Sequence, residues 1–434
     1  MRFSPVRSFL RPCFLALGVF AMACGETPGD LSQDNGIDDA TDNPSTTHGA
    51  DNVLDGGTND GTEELSGELT VYAEEADDAN SQSYFLETEK GSVALRLDNV
   101  DTGPLETGQR LKVQGTWNDE GAFVASSVTV QGTSTLAAGA RANGVNGRLC
   151  VVLVTYTNDR DYYNRGNLGQ NIRNTFQQAT AIIRDVTRNR YNLTSIQFET
   201  KAAGIRAPAK HSLRAPLPLN ALAASSTLAP RNASSCTHRA WVLPTYADRL
   251  DWFALGIATV GGGNISSYVG HSVSLISVMH ELGHNFGLRH SADDRVDPMG
   301  GVNHSHYNAL NMMSLGFKFN VRNLNNLNRG SSASIDLRPV ETNLDAAERE
   351  GVYLYGTDLR HARTERGALP GTSIPLPLPT GTLSPVLVRR ESNGETRFLA
   401  AGDPANRNWR FTYGDTTYAW HPTVANRVVV TRRR

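Results

Sequence analysis

The stretch HELGHNFGLRHS, from His280 to Ser291, constrains this chain more than any other. His280 and His284 are four residues apart, so on a helix their imidazoles stand one turn apart on one face and can converge on a single ion. Glu281 follows directly, rotated about 100° round the axis. It lies outside the shared ligand face but within reach of a water held by the ion. Gly287 has no Cβ, so it can take a left-handed conformation, end the helix and turn the chain back. His290 can then supply a third ligand. Three neutral imidazoles leave the fourth tetrahedral position to water, the layout of a catalytic zinc ion (Zn2+) rather than a structural one. The alternative is a surface helix rich in histidines. The full spacing H-E-x-x-H-x-x-G-x-x-H is far more demanding than HExxH alone and weighs against it.

Followed by a methionine turn, the same pattern is the metzincin signature. A candidate turn is present in DPMGG, where Met299 comes nine residues after His290. The region from Cys150 to about Phe317 resembles the gametolysin family of zinc peptidases within the metzincins, in particular its bacterial members. HRAWVLPT, GIATVGGGNISSYVG, HELGHNFGLRHS, DPMG and HYNALNMMSLGF carry the likeness. Ser291 directly after the third histidine fits that family and also matrixins, whereas adamalysins usually have Asp there. The short His290-to-Met299 spacing, with no Tyr closely following the Met, argues against an astacin-like tyrosine ligand.

The resemblance implies an α/β (α+β) catalytic domain with a twisted mixed sheet and an active-site helix. It implies His280, His284 and His290 as ligands of one catalytic zinc ion, Glu281 as general base and proton shuttle, and Met299 as a hydrophobic base beneath the ligands. It also implies an extended protein or peptide substrate that adds a strand to a sheet edge just before that helix. Here the edge would lie within Gly256 to Val269, which also reads as an ordinary Gly-rich loop. Asn303 to Leu310 would wall the pocket for the residue after the scissile bond. His304 and His306 read as solvent-facing or supporting groups, because three ligands are already supplied, with extra metal ligands as the alternative.

Around this centre the chain divides by composition. Residues 1–24 read as a lipoprotein-type export signal: Arg2, Arg7 and Arg11, then the short apolar CFLALGVFAMA, then AMAC ending at Cys24. Cys24 would carry the lipid and be the chain's one membrane attachment; Ala21 stands where the lipobox usually has Leu, so plain secretion stays open. Residues 25–64 hold no Lys or Arg and read as a disordered acidic linker. Residues 65–133 alternate apolar and polar positions in five short runs, which predicts a small OB-like β-barrel, a possible pro-domain. Exposed aromatics are few there, no basic stripe exists and the net charge is −3, so nucleic acid is excluded as a partner. Ser134 to Gly147 is small and flexible, a boundary open to nicking.

Residues 146–330 then form the α/β unit. Arg148 to Thr157 is a strand covered on both faces, and Leu168 to Tyr191 has apolar residues at helical spacing. Cys150 and Cys236 begin or precede core strands and can form a disulfide or remain free thiols. With no cysteine between Gly25 and Leu149, a thiol latch on the metal has no donor in the preceding segment. No Asp/Gly loop of standard calcium spacing is present. Residues 331–434 read as a C-terminal β domain without a catalytic constellation. The expected function is an exported zinc endopeptidase. The rivals are a retired metzincin scaffold acting as a surface adhesin, against which the intact Glu281 weighs, and a hydrolase of cell-wall peptide cross-links.

Overall fold

A computed structural model describes residues 62–434, apart from 77–80, 99, 134–143, 205–218, 245–253, 263–264, 270–272, 293–296, 301–306, 341–342, 359–382, 393 and 403–405. The segment read as an export signal with Cys24, the segment read as a linker up to residue 61, and His304 and His306 lie outside the described residues. The fold is mixed α and β, mostly strands with few helices.

Five strands come first: β1 (Glu63–Ala76), β2 (Ser81–Thr88), β3 (Gly91–Arg96), β4 (Gln109–Trp117) and β5 (Phe123–Thr133). Their alternation turns Leu69, Val71, Leu86, Leu111, Val113 and Phe123 into one core. Antiparallel pairs β1–β2, β2–β3, β4–β5 and β1–β4, with the parallel pair β3–β5, close them into a barrel. β1 is longer than this closure needs.

The α/β segment follows with β6 (Val145–Thr155), α1 (Leu168–Val186), β7 (Tyr191–Ala202), α2 (Leu219–Ala224), β8 (His238–Leu243), β9 (Ala254–Thr259) and β10 (Ile265–Val269). β6 is buried on both faces, as its unbroken apolar run predicts. Leu149, Val151 and Leu153 meet Ile172, Phe176 and Ile183 of α1 on one face. Val152 and Val154 meet Leu219, Leu222 and Trp241 on the other. The strand order is β7-β6-β8-β10-β9, with β9 alone antiparallel to its neighbour. A disulfide joins Cys150 in β6 to Cys236 just ahead of β8, with Cα atoms 5.8 Å apart, which removes the free-thiol alternative.

The structure of this segment differs from the sequence reading in two places. β6 begins at Val145, inside the segment read as flexible. Gly147 there is a strand residue whose missing side chain admits Thr237, because a Cβ would collide with that side chain. The second difference is larger. The region from 256 to 269 is two strands, of which β10 is interior. β9 is not an open edge: β1 pairs antiparallel with it, Tyr72 opposite Thr259 through Glu75 opposite Gly256. Barrel and α/β segment therefore share one 10-stranded sheet.

The remaining elements are α3 (Leu275–Asn285), β11 (Ser291–Ala292), α4 (Ala309–Ser314), β12 (Asn320–Asn323), β13 (Ser332–Asp336), β14 (Asp345–Arg349), β15 (Val352–Asp358), β16 (Leu383–Arg390), β17 (Thr396–Ala401), β18 (Arg410–Tyr413), β19 (Thr416–Trp420) and β20 (Arg427–Arg432). They form a sheet β11-β17-β16-β15-β14-β12 and a second sheet β13-β20-β19-β18. Leu354 and Leu387 of one meet Tyr418, Trp420 and Val428 of the other in a shared core. The opposite face of the first sheet packs on α4 through Tyr355, Val386 and Leu310. This C-terminal sandwich reaches back across the expected boundary at 330, since β11 and β12 precede it in sequence. Among the described residues no helix is long and apolar enough to cross a membrane.

Candidate metal centre

α3 is fixed at both ends by its own residues. At the start, the Ser277 N–H donates to Ser274 Oγ at 3.1 Å and the Ser274 N–H to Ser277 Oγ at 2.9 Å, a reciprocal cap. At the end, Leu288 N–H reaches Gly283 O at 2.9 Å and Gly287 N–H reaches His284 O at 2.7 Å. This double closure requires a left-handed residue, and Gly287 supplies it with φ 94°. The chain reverses there and carries His290 back over the helix face that holds His280 and His284.

The three imidazoles converge, and all three residues are buried. His284 Nε2 lies 3.0 Å from His280 Nε2 and 3.2 Å from His290 Nε2. His280 Nδ1 is 2.8 Å from Pro298 O, and His284 Nδ1 is 2.8 Å from Leu288 O. A carbonyl only accepts, so each Nδ1 carries the hydrogen and each Nε2 presents a lone pair. Lone pairs facing one another at this distance repel unless a cation lies between them. Imidazole–zinc bonds of ~2.0–2.1 Å in a tetrahedron place ligand nitrogens about 3.3 Å apart, close to what is found. The triad can hold a metal ion.

Electrostatics agree. Burial first, then the neighbouring imidazoles, holds His284 well below the ordinary imidazole range. His290 is lowered in the same way, by burial, by His280 and by Arg289. Both stay neutral, as metal ligation requires.

Glu281 is also buried. Its carboxylate lies against β9 at Gly256, where a Cβ would sit inside the carboxylate. Tyr268 of β10 stands close enough that, after burial, the Glu281 charge helps raise its phenol pKa. Asn285 ties the helix to both strands, its Nδ2 donating to Thr259 O at 3.1 Å and Ile265 O at 3.0 Å. The residues around the general-base candidate are thus set by the β9–β10 pair.

Met299 lies beneath α3 in a short turn, Pro298–Gly300, and is fully buried. Gly283, between the two helix histidines, makes room for it: a Cβ there would run into the Met299 sulfur. Tyr307 supports the same place, its hydroxyl donating to Met279 O at 2.9 Å. From Tyr307 to Leu310 the stretch expected to wall a substrate pocket is buried; Tyr307 packs beneath the helix, and the rest lies outside the described residues.

Sequence reasoning missed Asp297. Its buried carboxylate accepts from Met299 N–H at 2.7 Å, Asn308 N–H at 2.5 Å and Asn311 Nδ2 at 2.9 Å. It pins the turn whose next carbonyl, Pro298 O, orients His280. The hold on His290 was missed too. Arg289 donates to Gln82 Oε1 at 2.8 Å and to Leu105 O, both in the barrel. On the other side Thr396 N–H donates to His290 O at 3.2 Å, and Asn308 Nδ2 reaches Ser291 Oγ at 3.0 Å and Thr396 Oγ1 at 3.1 Å. Only the proximity of Asp297 to Met299 offered a signal in the sequence.

No family model matches the chain. No curated protein matches it either. Among solved structures, a chain described as "Structure of a chaperone-substrate complex" is similar at 14% identity with a TM-score of 0.27, covering 52% of this chain and 35% of that one. This chain thus spans about a third of that chain's length.

Proposed function

We propose that the chain is an exported zinc endopeptidase of metzincin type that hydrolyses peptide bonds in extended polypeptides. One observation carries this: three buried imidazoles bring ligand nitrogens within 4.8 Å of one another, and the carboxylate of Glu281, next to His280 on the same helix, lies against β9 at Gly256. The mixed sheet, the helix bearing His280, Glu281 and His284, the Gly287 turn and the buried Met299 support the same reading.

His280, His284 and His290 would hold the zinc, which when bound supplies a Lewis acid and a water of lowered pKa. Glu281 takes the proton from the attacking water and delivers it to the departing amine nitrogen. His280 and His284 are kept in the ligating tautomer by Pro298 O and Leu288 O. Burial of the site limits water and strengthens the electrostatic effect of Glu281. The substrate is read as an extended chain laid along the sheet, with no part for nucleic acid. The basic and apolar N-terminus supports the export reading, and the Cys150–Cys236 bond supports an oxidising compartment. Lipid attachment at Cys24 belongs to the same proposal.

The test is metal analysis together with cleavage of denatured casein. Glu281→Gln keeps the metal and lowers cleavage by about 10² to 10⁴, the range for a general base. Unchanged cleavage removes Glu281 from the mechanism, and metal binding without cleavage in the parent chain favours the adhesin reading. Digesting cell-wall sacculi beside casein separates a cross-link hydrolase from a general endopeptidase.

A further inference from the structure

The strand that runs past Glu281 already has a partner. We propose that β1 is a built-in substrate mimic: the N-terminal barrel lays residues 72–76 along β9 where an extended peptide would lie, and so holds the intact chain at low activity. The inference rests on the peptidase reading above.

Position and direction support it. The register runs from Tyr72 opposite Thr259 to Glu75 opposite Gly256, and Gly256 is the residue that faces the Glu281 carboxylate. β1 therefore extends level with the general base. A strand edge offers one row of N–H and C=O groups, and a second chain can occupy that row only after the first has left. A peptide strand and β1 are mutually exclusive there. The barrel is also fastened beside the site, through Thr107 N–H to Val260 O at 3.0 Å, Val260 N–H to Val71 O at 3.0 Å, and the Arg289 contacts. A tethered strand competes at an effective concentration on the order of millimolar, above that of most substrates. Such an inhibitor needs no metal-binding thiol, and the barrel carries no cysteine.

The ladder also shows where to break the contact. Because Val71 O accepts from Val260, backbone groups of alternate residues, 71, 73 and 75, face β9. The β1–β2 register ends at Glu74 opposite Ser81, so the Glu75 N–H serves β9 and not the barrel. Glu75→Pro removes that donor; Glu75→Ala keeps it.

The experiment uses the full chain loaded with zinc, with metal content and circular dichroism to verify the fold. Amide hydrogen exchange is followed across β9, and hydrolysis of a quenched fluorescent decapeptide is followed in parallel. Loss of one backbone bond shifts the strand equilibrium about fivefold. The expected result is that Glu75→Pro raises both β9 exchange and hydrolysis by about that factor, while Glu75→Ala matches the parent. A hydrolysis rate in Glu75→Pro equal to or below a measurable parent rate overturns the inference and leaves the peptidase reading standing. No hydrolysis by any form, with zinc bound and β9 exchanging faster, overturns the peptidase reading and the inference with it.

Discussion

Replacing Asp297 with Asn keeps the size of the side chain, removes its charge and turns one acceptor oxygen into a donor NH2. The carboxylate accepts Met299 N–H on Oδ1, and Asn308 N–H and Asn311 Nδ2 on Oδ2. An amide has one acceptor oxygen. Placed to keep the two bonds at Oδ2, it turns its NH2 toward the Met299 N–H, donor against donor. The variant loses one charge-assisted bond, worth about 1.5–3 kcal/mol, and leaves a buried donor unmet at about 1–3 kcal/mol. A destabilisation of about 2–4 kcal/mol follows once relaxation is allowed for. The loss falls on the turn that carries Pro298 O, so His280 loses its orienting acceptor. Affinity for zinc is expected to drop about 10- to 100-fold, the usual effect of removing an outer partner of a metal ligand. Competition against a fluorescent chelator at pH 7.5 measures the affinity, and urea unfolding with and without zinc measures the stability. An Asp297→Asn chain that binds zinc as tightly as the parent would refute the chain of support from Asp297 to His280.

Removing the disulfide by Cys150→Ser with Cys236→Ser frees a loop spanning 86 residues and costs about 4–5 kcal/mol on the chain-entropy model, read as a lower urea midpoint; an unchanged midpoint refutes it. Acid should weaken the metal-free chain. Burial lowers His238 to about 3 and holds His284 and His290 well below 6.5. Below about 6.5 the unfolded chain takes up protons that the folded one refuses, so stability falls with pH by up to about 1.4 kcal/mol per unit for each histidine. Urea midpoints in a chelator at pH 8, 6.5 and 5 check this, and a midpoint that rises on acidification contradicts it.

What could be read from the sequence was local. The His280–His284 spacing and the Gly287 turn depend on helix geometry within a dozen residues, so their convergence with His290 was visible in the string itself. The barrel strands and β6 were legible because alternation and unbroken apolarity record which faces are covered. The β1–β9 pairing was not. Val71, Ala73 and Glu75 use backbone groups there, and a backbone N–H looks the same under every side chain. Gly256 to Val269 read as one Gly-rich stretch because nothing local marks Gly256 as the place where Glu281 rests. β11 has two residues, too few to make a pattern, and its partner Thr396 is more than a hundred positions on.

The short passage after α3 is held from both sides, Arg289 by Gln82 and Leu105, and the His290 backbone and Ser291 by Thr396 and Asn308. For an ion held by this triad, affinity would therefore be a gauge of assembly. If either flanking body loosens, by truncation, heat or a bound competitor, the third imidazole of the triad loses its footing before the helix itself unravels. Titrating the metal thus reads out whether all three regions of the polypeptide are seated together.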